Sequence, residues 1–360
     1  MTARERILAV LNRQPVDRLP VDLWHTPEIG TLLRQQFGVA DDLSLYRAMK
    51  LDKIVWNFME YKTAAGESTG AQSGAGAENA GSRTMWGVPL QDVQAGAAHY
   101  AEFGAAPLQS FDSPRQLDEY PWWPIPDRFD YDGAVARARQ AAPDFVVIGP
   151  WVSFFEIYCQ MRGLEQAMLD LALDPDFVDA TLDRIEAIQT DMMRRFFAQA
   201  RQFLTLTFIS DDVGGQNGLL MSPAAWRRHL EPRLRRWCRL IHDHDLKVFF
   251  HSDGGIDPLI GPLIECGIDV LNPIQHVCPG MDRAALKRKY GDRVIFHGGV
   301  DNQSVLPRGS VASVRDEVRQ CLATLGARQT GYICCSCHNV QPGTPLENIL
   351  AMVETVQQSL

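Results

Sequence analysis

The 360-residue chain has no uninterrupted apolar stretch of the length a bilayer crossing requires, so a helical membrane span is not expected. It has no surplus of positive charge either. A formal net charge of −9 leaves little with which to displace counterions from phosphate, which excludes a general nucleic-acid binder. Arg227, Arg228, Arg233, Arg235 and Arg236 look like an exception. They alternate with Trp226, Leu230, Leu234, Trp237 and Ile241 at helical spacing and read as the solvated face of a helix. No Gly-x-Gly-x-x-Gly turn follows an early strand, so a dinucleotide-binding fold gets no support. Behind Met1-Thr2-Ala3-Arg4-Glu5-Arg6 there is no signal-peptide apolar core, and the expected location is the cytoplasm.

Eight cysteines in such a chain are not a disulfide framework. Cys159, Cys238, Cys266 and Cys321 stand singly in apolar surroundings, as small buried hydrophobes do. Cys334, Cys335 and Cys337 cluster instead at the end of a candidate strand, where a thiolate ligand or nucleophile would be placed.

What the chain does have is alternation. Thr2-x-x-Glu5 reads as a capping box opening a helix with Ile7, Val10 and Leu11 on its apolar face. Strands are expected near 19–24, 54–57, 145–148, 204–209, 246–250, 268–271, 293–296 and 331–334. Helices fall between them, among them 180–197, 258–265, 284–290 and 311–325, one starting at Ser222-Pro223 and one capped by Thr344-Pro345. Short apolar strands alternating with helices indicate a parallel sheet covered on both faces, and about eight of them favour a closed (β/α)8 TIM barrel. Residues 63–83 are rich in Ala, Gly, Ser and Thr without apolar periodicity, and read as a flexible insertion in one domain spanning 1–360.

In a barrel, residues just past the strands converge on one mouth. Here that inventory is Asp22 with His25, Asn57, Trp151, Asp211 and Asp212, His251 with Asp253, Asn272 with Gln275, His297, and Cys335 or Cys337 with His338. Asp211, Asp212 and His338 are candidate acids, bases or anchors. Trp24, His25, Asn57, Trp151, Gln216, Asn272, Gln275 and His297 are candidate substrate contacts. His251-x-Asp253 with Cys337 has the donor set of a zinc site with an open position, although a hydrogen-bonded His251–Asp253 pair beside buried thiols fits the spacing equally. His276-x-Cys278 is a further possible ligand pair, whereas His242-x-His244 on a helix does not share a face.

Asp211-Asp212-x-Gly214-x-Gln216, Ser222-Pro223, His251-Ser252-Asp253-Gly254, Glu265-x-Gly267-x-Asp269-x-Leu271-Asn272-Pro273, Gly298-Gly299-Val300-Asp301 and the closing Cys337-His338-Asn339-x-Gln341-x-Gly343-Thr344-Pro345 resemble the uroporphyrinogen decarboxylase superfamily. That group includes corrinoid-dependent methyltransferases. The resemblance covers most of the chain from Phe145 onward, plus Arg13 to Pro20. The Arg-Gln-Ala-Gly-Arg-Tyr type of segment with which true uroporphyrinogen decarboxylases hold a polycarboxylate is absent, since Arg18 is followed by Leu19-Pro20-Val21-Asp22. The methyltransferase branch carries zinc on His-x-Cys plus a later Cys. His251 matches the histidine and Cys337 the later cysteine, while Asp253 stands where the middle cysteine belongs. The resemblance therefore implies methyl transfer between a small methylated compound or thiol and a corrinoid on a partner protein. A metal-free decarboxylase-like enzyme and a non-catalytic tetrapyrrole or corrinoid binder are the competing expectations.

Overall fold

Seven short parallel strands form one sheet in chain order: β1 (Ile54–Trp56), β2 (Val146–Val152), β3 (Leu206–Ser210), β4 (Lys247–His251), β5 (Val270–Asn272), β6 (Ile295–His297) and β7 (Tyr332–Ile333). They belong to a computed structural model that describes residues 1–62, 68–69, 83–95, 98–327 and 330–359. Most of the expected insertion at 63–83 lies outside the described residues. β2 to β7 are built almost wholly of buried residues, as expected of a parallel sheet with helices on its outer face.

The eighth position is held by a single residue. Val21 forms an isolated parallel bridge to Cys334 beyond β7, and its carbonyl accepts the Asp52 N–H at 2.8 Å just before β1. These bonds join the two edges of the sheet and close the ring, so the fold is of the (β/α)8 barrel type. The strand expected over 19–24 contracts to this bridge. Pro20 has no N–H to add to a ladder, although its carbonyl still accepts from Cys334 at 2.9 Å.

The helices follow the expected order, with three differences. The helix after β2 and its successors run as Phe155–Arg162, Leu164–Leu173 and a long Pro175–Ala200, which buries Phe177, Ile185, Met192 and Phe196. The closing helix begins at Leu346 behind Pro345, and Thr344 does not cap it. The arginine-rich stretch is two helices, Pro223–His229 and Glu231–His242, and Arg233 is buried between Asp179 and Asp183 instead of facing solvent. The other apolar positions there behave as expected: Trp226, Leu234, Trp237 and Ile241 are buried, with the Trp237 ring stacked on Phe154 at 3.5 Å. No described helix is long and apolar enough to cross a membrane. All eight cysteines are free thiols.

Beneath the barrel, Asp52 is completely buried and accepts from Arg6, from Arg18 at 2.6 Å and from the Val21 N–H at 3.0 Å. Arg6 also holds Asp17 at 2.7 Å, which ties the first helix, Ala3–Leu11, with its Thr2–Glu5 capping box, under the closing residue. Removing one partner of a buried charge pair leaves the other uncompensated. Asp52→Ala should therefore lower unfolding free energy by about 3–5 kcal/mol in denaturant titration, whereas a loss below about 1 kcal/mol would show that the floor network does not hold the ring closed.

Candidate active site at the barrel mouth

A buried hydrogen-bond chain crosses the barrel toward its C-terminal end. The Asp22 carboxylate, fully buried next to the ring-closing Val21, accepts from Lys53 Nζ at 2.8 Å, from the Leu23 N–H at 2.7 Å and from Trp24 Nε1 at 3.1 Å. Burial alone would raise its pKa, but the Lys53 charge and the bond from His297 hold this carboxyl well below the usual range. His297 at the end of β6 sets its Nε2 3.1 Å from Asp22 Oδ2 and its Nδ1 2.7 Å from Asn272 Nδ2. Asn272 at the end of β5 sets its Oδ1 2.5 Å from His251 Nδ1 at the end of β4.

With His297 neutral, the bonds from Asp22 to His251 Nδ1 run in one direction. Asp22 can only accept, so His297 donates through Nε2. Its bare Nδ1 accepts the Asn272 amide N–H, and the Asn272 carbonyl oxygen accepts the His251 Nδ1–H. His297 is kept neutral by burial, which lowers its pKa and fits this pattern. The outcome is that His251 engages Nδ1 in the relay and leaves Nε2 outside it, 3.8 Å from Asp212 Oδ1. The Asp22–His297–Cys335 cluster also brings three donor atoms within 4.8 Å of one another, but the Lys53 ammonium already supplies the cation there.

His251 also belongs to a second group. His251, Asp253 and His338 bring ligand atoms within 4.8 Å of one another. The loop after β4 is fixed by its neighbours: the Asp253 N–H donates to Asp212 Oδ1 at 2.8 Å, Gly254 to Gln275 Oε1 at 2.5 Å and Gly255 to the Gly215 carbonyl at 2.9 Å. Gly254 has φ 87°, and a Cβ there would meet the Gly215 backbone at 2.6 Å, so the close approach requires glycine. Asp253 Oδ1 is buried without a hydrogen-bond partner, and burial raises its pKa. Burial and the nearby His251 push the His338 pKa down, which leaves an imidazole free to ligate or accept.

A carboxyl near this group was not expected from sequence. Glu156 in the helix after β2 accepts from Ser210 Oγ at 3.0 Å, and burial together with the Asp212, Asp211 and Asp253 charges pushes its pKa up to about 8. The chain offered only a faint signal, a carboxylate five residues past Trp151 at a strand-to-helix junction. Lys53, which charges the inner end of the relay, was likewise not read as a site residue.

Several expected residues serve other purposes. Cys337 is not in the ligand group: its buried thiol donates to the Ile274 carbonyl at 3.4 Å and burial raises its pKa well above the ordinary value, so His338 takes its place. Asp211 is fully buried and accepts from Ser153 Oγ and the N–H groups of Phe154, Phe155 and Glu156 at 2.6–3.2 Å. It caps the N-terminus of the helix Phe155–Arg162 from the end of β3, with burial lifting its pKa to about 7 against those donors. Asn57 spends its amide on the Ala134 carbonyl and Arg137. Trp151 is buried inside β2, and Gln216 accepts from Cys278 at 3.6 Å. His276 takes Arg283 at 2.8 Å and joins no convergent ligand group among the described residues. Trp24 and His25 line a separate cavity beside the mouth.

A family model for uroporphyrinogen decarboxylase (URO-D) matches residues 122–359. In sequence the chain is similar to the methylcobamide:CoM methyltransferase MtaA of Methanosarcina barkeri, 22% identical over 98% of this chain and 96% of that relative. It is also similar to a Thermus thermophilus uroporphyrinogen decarboxylase, 29% identical over 50% of this chain and 49% of the relative. In structure it resembles a methyltransferase from Methanosarcina mazei with a TM-score of 0.65 at 17% identity, over 99% of both chains, a likeness of fold.

A carboxyl whose folded pKa is raised holds its proton in the native state after the unfolded chain has lost it. The protein therefore loses stability as pH rises from the unfolded value of about 4.5 toward about 8. Glu156→Gln removes that loss. In metal-free protein, the stability of the variant relative to wild type should increase between pH 5 and 8 by on the order of a few kcal/mol in chemical denaturation. A difference that stays flat across this range would contradict the placement of Glu156 among the mouth carboxylates.

Proposed function

The chain belongs to the uroporphyrinogen decarboxylase (URO-D) family, and from that premise we propose that it is a zinc-dependent methyltransferase. The observation that carries this reading is the convergence of His251, Asp253 and His338, with the His251 ring held through Nδ1 by the buried relay. Two imidazole nitrogens and one carboxylate oxygen suit zinc in a site with an open position, and the partnerless Asp253 Oδ1 is an atom that a cation would satisfy. When bound, the ion supplies Lewis acidity to the heteroatom that carries or receives the methyl group.

The remaining work falls to the chain's own residues. Asn272 holds the His251 ring and its tautomer. Asp212 and Gln275 fix the loop that carries Asp253. Glu156, whose carboxyl pKa is raised by burial and the neighbouring carboxylates in the metal-free protein, would take up or give up a proton at its carboxyl as the methyl leaves or arrives. The other methyl carrier in this proposal is a corrinoid on a partner protein, in keeping with the methylcobamide named for the Methanosarcina barkeri relative. Decarboxylation of a polycarboxylate fits less well. The mouth gathers Asp212, Asp253 and Glu156, and the arginine segment that would offset a many-carboxylate substrate is absent.

Elemental analysis should find one zinc per wild-type chain, none in His251→Ala or His338→Ala, and an unchanged content in Cys337→Ala. Asn272→Leu should keep the fold but weaken zinc binding by about 10–100-fold in chelator competition, because the orienting partner of a ligand is lost. Zinc-free wild type, or loss of zinc in Cys337→Ala alone, would defeat this assignment.

A further inference from the structure

Beyond β6 the chain does not continue as a strand. Gly298 and Gly299 take φ of 92° and 106°, the left-handed region that glycine enters freely. Val300 nevertheless pairs with the segment after β7. Its N–H donates to the Cys335 carbonyl at 3.1 Å, and its carbonyl accepts the Cys337 N–H at 2.9 Å. This is an isolated parallel bridge to Ser336, outside any strand. It fixes the chain immediately before His338, so the place of that imidazole depends on what holds Val300.

A buried ion pair holds it from both sides. Arg283 opens the helix Arg283–Tyr290 and Glu317 lies in the helix Val311–Thr324, and both are buried. Arg283 Nη2 meets Glu317 Oε1, with Nη1 3.4 Å from Oε2. Each partner then grips one neighbour of Val300. Arg283 Nη2 donates to the Gly299 carbonyl at 2.6 Å, and the Asp301 N–H donates to Glu317 Oε1 at 3.2 Å. Arg283 also donates to His276 Nδ1 at 2.8 Å in the loop after β5. The residue before it, Gln275, accepts from Gly254 beside Asp253. One guanidinium therefore ties the loops after β5 and β6 together, and through Val300 the segment after β7. Hydrogen bonds to ionised groups are stronger than neutral ones, which suits an anchor for loops that lack a ladder.

We propose that Arg283 and Glu317 position His338. By clamping Gly299 and Asp301 they hold Val300, and Val300 holds the register at which the His338 imidazole meets His251 and Asp253 while the Cys337 thiol turns to the Ile274 carbonyl. Neither residue belongs to the ligand group, so both are positioning residues. That the imidazole so placed binds zinc rests on the function proposed above.

The test compares three full-length variants with wild type. Arg283→Met with Glu317→Met removes both charges and leaves neither unpaired, which favours a folded chain. Glu317→Gln keeps an acceptor for the Asp301 N–H. Arg233→Met breaks a different buried pair, on the outer helices. In metal-free protein, amide exchange at Val300 and Cys337, taken relative to core strand amides, should quicken by about tenfold or more in the double variant and stay at the wild-type rate in Arg233→Met. Chelator competition with zinc alone should show affinity reduced by about tenfold or more in the double variant, reduced less in Glu317→Gln and unchanged in Arg233→Met. Unchanged exchange in the double variant overturns the clamp. Faster exchange with unchanged zinc affinity, or an equal loss of affinity in Arg233→Met, overturns its role in placing His338. A wild type that holds no zinc counts against the proposed function alone, because the exchange measurement needs no metal.

Discussion

One buried charge organises both the closure of the barrel and the chemistry of its mouth. Asp22 follows the residue that joins the two edges of the sheet, and it is held there by Lys53 from the β1 side and His297 from β6. A carboxylate with no exposure is tolerable only with its partners in place. Those partners pin three segments that are distant in sequence. The same carboxylate fixes the His297 tautomer, Asn272 transmits that choice, and His251 is left with its outer nitrogen outside the relay. The core thus fixes the orientation of the His251 ring at the mouth through side chains that never meet solvent.

Much of the fold could be read in the chain because the alternation of apolar runs and helical periods is long and regular. The strands ending at Ile209, Phe250, Leu271 and Phe296 fall within one residue of the observed ends. The Val21 segment was harder, since Pro20 supports pairing on one side only. The Thr344 cap and the solvated Arg233 failed for a common reason. A local pattern gives a residue's type of neighbour but not what the rest of the molecule brings to it, and here it brings Asp179 and Asp183 to Arg233.

The site divided along the same line. The polar network does follow the strand ends, with His251, Asn272 and His297 closing β4, β5 and β6, but Asn272 and His297, expected to touch substrate, are fully buried within it. Which side chain points inward was not legible. Cys337 and His338 are adjacent, and a one-residue difference after an irregular strand end decides that the imidazole joins the group while the thiol turns to the Ile274 carbonyl. Asp211 and Asp212 are split in the same way, one capping a helix and one gripping the Asp253 loop. Glu156 was not legible because it sits in the first turn of a helix, four residues past the end of β2.

The replacement of thiolate by imidazole and carboxylate is the central claim, and X-ray absorption at the zinc edge tests it most directly. Zinc-loaded protein should show a first shell of nitrogen and oxygen alone, at about 2.0–2.1 Å, with the outer-shell scattering of two imidazoles. A sulfur scatterer at about 2.3 Å would put Cys337 back on the metal and contradict the account.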